Sequence, residues 1–597
     1  MKTNKFFFAA SIICALVLSA CSLDRRPLDP NTVTDFNQDA VFSKIYATFA
    51  LTGQQGPAGS GDVDGIDEGT SSFYRMFWEL NEFCTDEGWW IWNDVGLAEI
   101  RTQEWTKDNA LVMGLYARLY FDITLCNHFL DKTAGATDAK TLQQIAEVRM
   151  IRAMNYYYLV DMFNGGPMCL TVSPDNPMPA TRSQMYKWLV AECLDLAGED
   201  GDIDAAFEAE FQQAFPIQKT RPYGDNLPEM RATNYRVDRS AAWFLLMRLY
   251  LNQTVYNSND PAVRVEGNYD AAATYAAKVI EQSGHHLLTG DAAAYVKGAT
   301  TNDDQATYSA YQKLFMGDNN SNGAQDEAIF MIYQDAIQCQ SWGGARFVVN
   351  AHRDANMMPS GSSDSWSCFR TSPELIYYFF DKNTAGDVKA HEYTMPIEAG
   401  DDRATFCSYF VKQSFDSVKN TIVTTETTWS LLGNKQAEFA ACWADPKWTA
   451  IYSTSKNPYV WESPVGEPAW VDTDIPLFRV AEAYLTYAEA VLRGGQATGT
   501  SLTAKGCVDA IRARAHNTKD YTLSLDFLRD EWAREFHSEG LRRSTLVRYG
   551  QFAGETANMT WEGHTPGKEA KYNVYPIPTS DETANPNLAG LNAAIGY

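Results

Sequence analysis

The feature that most constrains the fold is an amphipathic pattern near the end of the chain. An apolar face with the spacing i, i+3, i+4, i+7 starts at Leu477, which is typical of a packed helix. This spacing predicts one helix from Asp474 onward. On that helix Arg479 and Glu482 would lie one turn apart and could form an ion pair.

A second strong helical pattern covers residues 141–163. Its second half, residues 150–163, contains only three strongly polar side chains, which predicts a helix that is buried on nearly every side. Gly165, Gly166 and Pro167 follow directly. Glycine after a last turn and a following proline are typical helix stops, so we expect the helix to end there.

Further helical patterns recur on both sides of a looser central region. They lie at residues 35–51, 109–130, 183–196, 239–251, 269–282, 503–514 and 525–549, the last interrupted at Gly540. In the central region, short β-prone runs at 328–333 and 421–425 are mixed with Gly, Asn, Ser and aromatic residues. Paired helices of this kind favour a mostly α fold built on a tetratricopeptide-like helical-repeat scaffold.

This pattern also divides the chain into predicted segments. We expect the helical scaffold over about 35–290 and 474–550, a large irregular, loop-rich insert over about 291–473, and a C-terminal tail over 551–597. The scaffold, insert and tail would together form one unit, 35–597.

The N-terminus has the features of a secreted lipoprotein. Two lysines precede an apolar run at 6–18, which is too short to span a membrane and typical of a signal peptide. The run ends in Leu-Ser-Ala-Cys21, which is similar to the bacterial lipobox and implies lipidation of Cys21. We therefore expect a signal peptide over 1–20, a lipidated tether over 21–34, and a chain held at a membrane by acyl groups.

Seven short motifs follow in order behind this lipobox. They lie at residues 147–167, 241–251, 479–490, 511–515, 531–540, 575–578 and 585–588. In this order they resemble the SusD/RagB family of bacterial outer-membrane glycan-binding lipoproteins, over essentially the whole chain. The chain departs from the family at 541–544, where Leu-Arg-Arg-Ser replaces a frequent Arg-Trp-Asp.

The resemblance implies binding without catalysis and a place on the cell outer membrane, with the protein facing the exterior. It also implies a partner, a SusC-like TonB-dependent transporter that takes up the captured oligosaccharide. We expect most charged motif residues to be buried ion-pair partners that hold helices together. They are Glu482, Glu489, Arg512, Arg514, Glu535 and Glu539.

Composition and motif searches exclude several other functions. With 75 acidic and 49 basic residues the net charge is −26, which would repel nucleic acid. Runs similar to metalloprotease, phosphate-binding and serine-hydrolase motifs each lack a required residue. The acidic run 62–68 lacks the spacing of a calcium loop. We therefore expect no catalytic residue, no cofactor and no metal.

Two segments have the composition of a sugar-binding surface, in which aromatic faces stack on C–H groups and polar side chains bond hydroxyls. The first contains Trp90, Trp92 and Asn93, with Arg75 upstream as a hydrogen-bond donor. Packing of these tryptophans in the core is the alternative interpretation.

The second segment joins residues 308–320 to 338–347 and contributes Tyr311 and Trp342. Gly343 and Gly344 would let a ligand approach the backbone beside Trp342. Both segments resemble the loops that form an aromatic arc in starch-binding members of the family.

The resemblance favours a starch-like α-glucan as the ligand, although other neutral glycans fit the same residue types. A glycoside hydrolase remains an alternative, because two carboxylates about 5–10 Å apart would suffice. A peptide-binding protein and a purely structural lid of the transporter are further alternatives.

Overall fold

The computed structural model describes residues 36–199, 227, 234–292, 308–352, 361–364, 366, 368–380, 399–406, 410–416, 421–427, 445, 447–453, 469–561 and 563–597. The chain divides into two units, Met1–Val41 and Phe42–Tyr597. The predicted signal peptide and lipidated tether, with Cys21, lie outside the described residues. Within those residues, no helix combines the length and apolar character needed to cross a membrane.

The described part of the chain is mostly helical, as predicted. Its α-helices are α1 (Gln38–Ala50), α2 (Phe73–Glu82), α3 (Leu97–Thr102), α4 (Ala110–Thr133), α5 (Ala139–Met162), α6 (Arg182–Ala197), α7 (Arg239–Leu251), α8 (Gln253–Tyr256), α9 (Tyr269–Gln282), α10 (Ala310–Lys313), α11 (Ala345–Ala351), α12 (Pro373–Tyr377), α13 (Ala481–Leu492), α14 (Ala504–Arg514), α15 (Leu525–Phe536), α16 (Arg542–Arg548), α17 (Thr579–Ala584) and α18 (Ala589–Ala593). Short 3₁₀ turns occupy Gly56–Ala58, Ala324–Asp326, Ala570–Asn573 and Pro586–Leu588.

Strands are short and form antiparallel pairs. They are β1 (Gly88–Trp90), β2 (Gly165–Pro167), β3 (Pro179–Thr181), β4 (Ala328–Ile332), β5 (Phe369–Thr371), β6 (Phe410–Asp416), β7 (Thr421–Thr427) and β8 (Ile475–Arg479). The pairs are β1–β5, β2–β3, β4–β8 and β6–β7. The two β-prone runs of the central region correspond to β4 and β7, which confirms those predictions.

The scaffold is a row of helices in which each packs on the next. Within the described part of the chain the row consists of α4, α5, α6, α7, α9, α13 and α14. Polar N-cap residues fix several starts: the Asn109 side chain accepts from two N–H groups of α4, and Thr181 forms a capping box with Gln184 on α6. Because α9 packs directly on α13, helices that precede and follow the central region in sequence are in contact.

The predicted stop after residue 163 is confirmed. Helix α5 ends at Met162, and Gly165 begins β2 with a φ of +105°. A Cβ at Gly165 would lie 2.4 Å from the carbonyl oxygen of Ala180 on the paired strand. Only glycine tolerates both the positive φ and this close approach.

The prediction of one helix from Asp474 is wrong in its first turn. Ile475–Arg479 is strand β8, paired with β4, and the helix begins only at Ala481. Arg479 and Glu482 are therefore not helical neighbours: Arg479 pairs with Glu539, and Glu482 pairs with Arg248 from α7. The apolar spacing from Leu477 fits either structure, and pairing with a distant strand decides between them.

The charged motif residues are buried ion-pair partners, as expected. The pairs are Glu482–Arg248 (2.6 Å), Glu489–Arg548 (2.8 Å), Arg512–Glu531 (3.7 Å), Arg514–Glu327 (2.9 Å), Glu535–Arg479 (2.6 Å) and Glu539–Arg479 (2.8 Å). Burial alone would raise the pKa of Glu535, but the guanidinium groups of Arg514, Arg479 and Arg403 lower it well below its ordinary value.

The departure from the family motif also forms ion pairs. Arg542 Nε lies 2.7 Å from Asp86, and Arg543 Nη2 lies 2.5 Å from Asp161. Both arginines are buried. They tie α16 to the end of α5 and to the turn that precedes β1, the strand that carries the first aromatic segment.

Candidate functional site

The first aromatic segment is held by strand β1. Its register pairs Trp89 with Arg370 and Trp90 with Phe369. Successive strand residues point to opposite faces, so the two tryptophans separate: Arg101 lies 5.6 Å from the Trp89 ring, whereas Trp90 stacks on Phe347 at 5.6 Å. Only Trp90 of this pair faces the candidate site.

Trp90 and Trp92 line a cavity of about 590 Å³. Their ring centres are 5.8 Å apart in an edge-to-face arrangement, and Trp90 Nε1 donates to Asp94 Oδ2 at 2.8 Å. Trp90 is nearly buried in the wall, but 44% of Trp92 is exposed. The wall therefore offers a free aromatic face beside a fixed one.

Helix α2 supplies the polar wall of the same cavity. Arg75 and Glu79 lie one turn apart on α2, where Arg75 Nε donates to Glu79 Oε1 at 3.0 Å. Glu79 is fully buried, and this burial raises its pKa although Arg75 lowers it. The Arg75 guanidinium also lies 4.2 Å from the centre of the Phe347 ring, so the ion pair packs against the aromatic wall.

Trp342 belongs to a second cluster, which we call the Trp342 platform: Trp342, Trp366, Trp470 and Arg346. The Arg346 guanidinium carbon lies 3.9, 5.3 and 4.7 Å from the three ring centres, in that order. Arg346 is buried and is held by Asp364 and the Ala469 carbonyl. Trp342 Nε1 donates to the Pro57 carbonyl at 3.3 Å, and 40% of Trp342 is exposed.

The cavity and the Trp342 platform are continuous. Trp366 contacts Arg346 of the platform and also lines the cavity beside Phe347, 5.8 Å away between ring centres. Helix α11 carries Arg346 and Phe347 as neighbours. A row of rings therefore runs from Trp92 through the cavity wall to Trp342, and exposed indole faces lie at both ends.

The structure brings Arg75, Trp90 and Trp92 together at the cavity and places Trp342 on the adjoining platform. Asn93 is exposed between two residues that line the cavity, Trp92 and Asp94. A role of these five residues in ligand binding stays a prediction.

Tyr311 lies elsewhere. The sequence-based hypothesis includes it, but the structure buries it completely, with its hydroxyl donating to the Glu535 carbonyl at 3.0 Å. Its ring packs on Phe315, 5.4 Å away between centres. A tyrosine with a satisfied hydroxyl and no exposed face offers nothing to a ligand, so Tyr311 is excluded from the candidate site.

The glycines beside Trp342 also have a different role from the expected one. A Cβ at Gly343 would lie 2.0 Å from the carbonyl oxygen of Gly69, and a Cβ at Gly344 would lie 2.3 Å from the Gln334 side chain. The space beside the backbone is therefore filled by the chain itself. These glycines allow the loop before α2 to pack against the start of α11.

Three residues that connect the two segments lie outside both of them and were missed by sequence reasoning: Glu79, Trp366 and Trp470. Three others, Asp94, Arg346 and Phe347, lie within the predicted segments but were not singled out as site residues. One signal was available for Glu79, since its i+4 spacing from Arg75 is typical of a helical ion pair. The rings at 347, 366 and 470 come from separate parts of the chain, and no local pattern joins them.

The acidic run 62–68 contributes Gly65, Ile66 and Asp67 to the cavity lining. Asp62 pairs with Lys44 and Arg118, and Glu68 accepts from Thr52. Among the described residues, no group of three or more His, Cys, Asp or Glu side chains is arranged to hold a metal ion.

Comparison with known proteins identifies the family to which this chain belongs. The family model described as the SusD family matches residues 326–597. The chain is 33% identical to the starch-binding protein SusD of Bacteroides thetaiotaomicron, over 99% of both chains. The chain belongs to the SusD family.

Solved SusD-like structures share the fold at lower identity. A SusD superfamily protein from Parabacteroides distasonis is 16% identical, with a TM-score of 0.59 over 93% of this chain and 99% of that one. Surface glycan-binding protein A from Bacteroides thetaiotaomicron, solved with laminarihexaose, is 15% identical, with a TM-score of 0.57 over 92% and 97%. Two of these relatives, the starch-binding protein SusD and surface glycan-binding protein A, are named for glycan binding. Members of the SusD family are carbohydrate-binding proteins rather than enzymes.

Proposed function

We propose that this protein captures a neutral oligosaccharide or polysaccharide at the bacterial cell surface. The ligand would lie along the row of rings from Trp92 to Trp342. The observation that carries the proposal is this row, because its two ends expose indole faces while the rings between them are fixed. A sugar chain laid across it would stack its C–H faces on both ends.

Polar groups along the same row would bond the sugar hydroxyls. The Nε of Arg75 donates to Glu79, which leaves its two Nη groups available as donors. Asn93 is exposed beside Trp92 and provides both a donor and an acceptor. We therefore propose Arg75, Trp90, Trp92, Asn93 and Trp342 as the ligand-binding residues.

A starch-like α-glucan is the proposed ligand. Support comes from the relative named as a starch-binding protein, which is similar over nearly the whole chain. Two separated stacking sites also suit a polymer, since a chain bound at one site is presented to the other at high effective concentration.

We further propose that the protein is anchored in the outer membrane through lipidated Cys21, faces the exterior, and delivers the glycan to a SusC-like TonB-dependent transporter. The lipobox-like sequence before Cys21 supports the anchor. Membership of the SusD family supports the transporter as partner.

Affinity electrophoresis of the mature chain, solubilised in detergent, tests the binding role. Gels would contain amylopectin, laminarin, dextran, levan or no polysaccharide. We expect retardation in the amylopectin gel, reduced in Trp92→Ala and Trp342→Ala but not in Tyr377→Ala. Tyr377 is a suitable control because it is exposed and lies outside the cavity lining. Migration that is unaffected by every polysaccharide would refute independent glycan binding.

A further inference from the structure

We propose that Asp67 and Asp94 make the candidate site selective for uncharged glycans by excluding glycans that carry uronate or sulfate groups. This inference rests on the proposed function and adds the chemical class of sugar that the site rejects. It depends on the distribution of charge around the cavity, which the aromatic row alone does not determine.

Four charged side chains line the described part of the cavity, and three of them are acidic: Asp67, Glu79, Asp94 and Arg75. Arg75 and Glu79 form an ion pair and largely cancel each other. Asp67 and Asp94 accept hydrogen bonds from uncharged donors, the Thr70 backbone N–H and the Trp90 indole. Their negative charges therefore remain uncompensated inside the lining.

The other cations that reach this region are already paired. Lys44 and Arg118 both pair with Asp62 on the neighbouring loop, and Arg346 pairs with Asp364 beneath the Trp342 platform. An anionic sugar entering the described part of the cavity would meet two carboxylates without a cationic partner, whereas the guanidinium of Arg75 is ion-paired with Glu79. Apolar walls strengthen this repulsion, because they reduce the screening of charges by water.

The charge of the whole chain acts in the same direction. A net charge of −26 lowers the local concentration of anionic polymers near the surface. This general effect depends on every acidic residue, whereas the effect of Asp67 and Asp94 is local. Variants that remove the same number of negative charges at different places in the protein distinguish the local effect from the general one.

The test compares three forms of amylopectin: unmodified, carboxymethylated, and hydroxyethylated to the same degree. Hydroxyethyl groups add similar bulk without charge, so they control for steric exclusion. Binding of each form to the mature chain would be measured by titration calorimetry at low salt and in about 1 M NaCl, where the Debye length falls to about 3 Å.

We expect carboxymethyl-amylopectin to bind at least about tenfold more weakly than hydroxyethyl-amylopectin at low salt, with most of the difference lost at high salt. The double variant Asp67→Asn/Asp94→Asn should reduce this ratio to about threefold or less. Because the ratio compares two derivatives of one polymer, a change in binding of the glucan backbone affects both forms alike. The control Asp175→Asn/Asp526→Asn changes the total charge equally at exposed positions outside the cavity and should leave most of the ratio intact.

Two results would overturn the inference while the proposed function stands. One is equal binding of the carboxymethyl and hydroxyethyl forms. The other is a ratio that both double variants reduce equally, which would assign the exclusion to total charge. If unmodified amylopectin does not bind, the same comparison is made with laminarin, dextran or levan, whichever binds. Failure to bind any of the four polysaccharides would refute the proposed function itself and the selectivity with it.

Discussion

Replacing Trp92 with alanine tests the proposed stacking most directly, and the structure sets the size of the effect. Trp92 is 44% exposed, so with roughly 250 Å² for a whole indole side chain about 110 Å² is free. A sugar stacked on one face would cover about half of that area. At about 25 cal/mol per Å² this burial contributes about 1.4 kcal/mol, or a factor of about ten in Kd.

The assay is titration calorimetry with maltoheptaose, comparing the wild-type protein with Trp92→Ala, Trp92→Phe and Tyr377→Ala. We expect about tenfold weaker binding for Trp92→Ala. Trp92→Phe should lose about threefold or less, because it keeps a flat ring. Tyr377 is 38% exposed and outside the cavity lining, so Tyr377→Ala should bind normally.

Stability measurements exclude an indirect effect. Trp92 is partly exposed and contacts the Trp90 ring at 5.8 Å, so its removal should leave the free energy of unfolding in urea within about 0.5 kcal/mol of the wild-type value. Unchanged maltoheptaose affinity in a folded Trp92→Ala protein would contradict the stacking argument. Equal losses of maltoheptaose affinity in Trp92→Ala and Tyr377→Ala would contradict the proposed location of the stacking site.

Three further predictions concern the platform and the core. Arg346→Met should weaken glycan binding severalfold and shift the tryptophan fluorescence, because cation–π contacts of about 0.5–2 kcal/mol hold Trp342 in place; unchanged fluorescence would contradict this. Glu535→Gln should lower the free energy of unfolding by about 3–5 kcal/mol in urea, since it removes a buried carboxylate that Arg403, Arg479 and Arg514 share. Lys505→Ala, in an exposed pair, should cost under about 1 kcal/mol. Burial raises the pKa of Asp122 to about 7, so its contribution to stability is full below the unfolded pKa of about 4 and is lost as the pH rises toward 7. The free energy of unfolding of Asp122→Asn, relative to that of the wild type, should therefore rise by about 1.4 kcal/mol per pH unit between pH 4.5 and 6.5. A difference in the free energy of urea unfolding that does not change with pH would contradict this prediction.

The helical scaffold was predictable because its signals are local. The break near Gly540 coincides with a φ of +78°, a conformation that glycine adopts readily. The stop at Gly165 and the N-cap at Asn109 are likewise determined within a few residues. The start of α13 was not predictable, since β8 forms only by pairing with β4, which lies far away in the chain.

The same difference between local signals and distant contacts applies to the candidate site. Trp90 and Trp92 were recognisable because three tryptophans fall within four residues, and their neighbours in sequence are neighbours in space. Tyr311 sits in an equally loop-like sequence, but its environment comes from the distant Glu535. Composition indicates which side chains could bind a sugar, and only the tertiary contacts decide which of them keep a free face.

The hydrogen bonds of Trp342, at one exposed end of the row, and of Trp90, in the cavity wall, explain how such a row could combine affinity with selectivity. The indole N–H of Trp342 is used by the Pro57 carbonyl, and that of Trp90 by Asp94. A ring fixed in this way loses little side-chain entropy when a ligand stacks on it, but its N–H can no longer donate to a hydroxyl. Discrimination among sugars must therefore come from the remaining polar groups, and around the cavity these are mostly carboxylates. Carboxylates accept hydrogen bonds from any neutral sugar hydroxyl and repel anionic substituents, so a row built this way would be permissive about linkage and strict about charge.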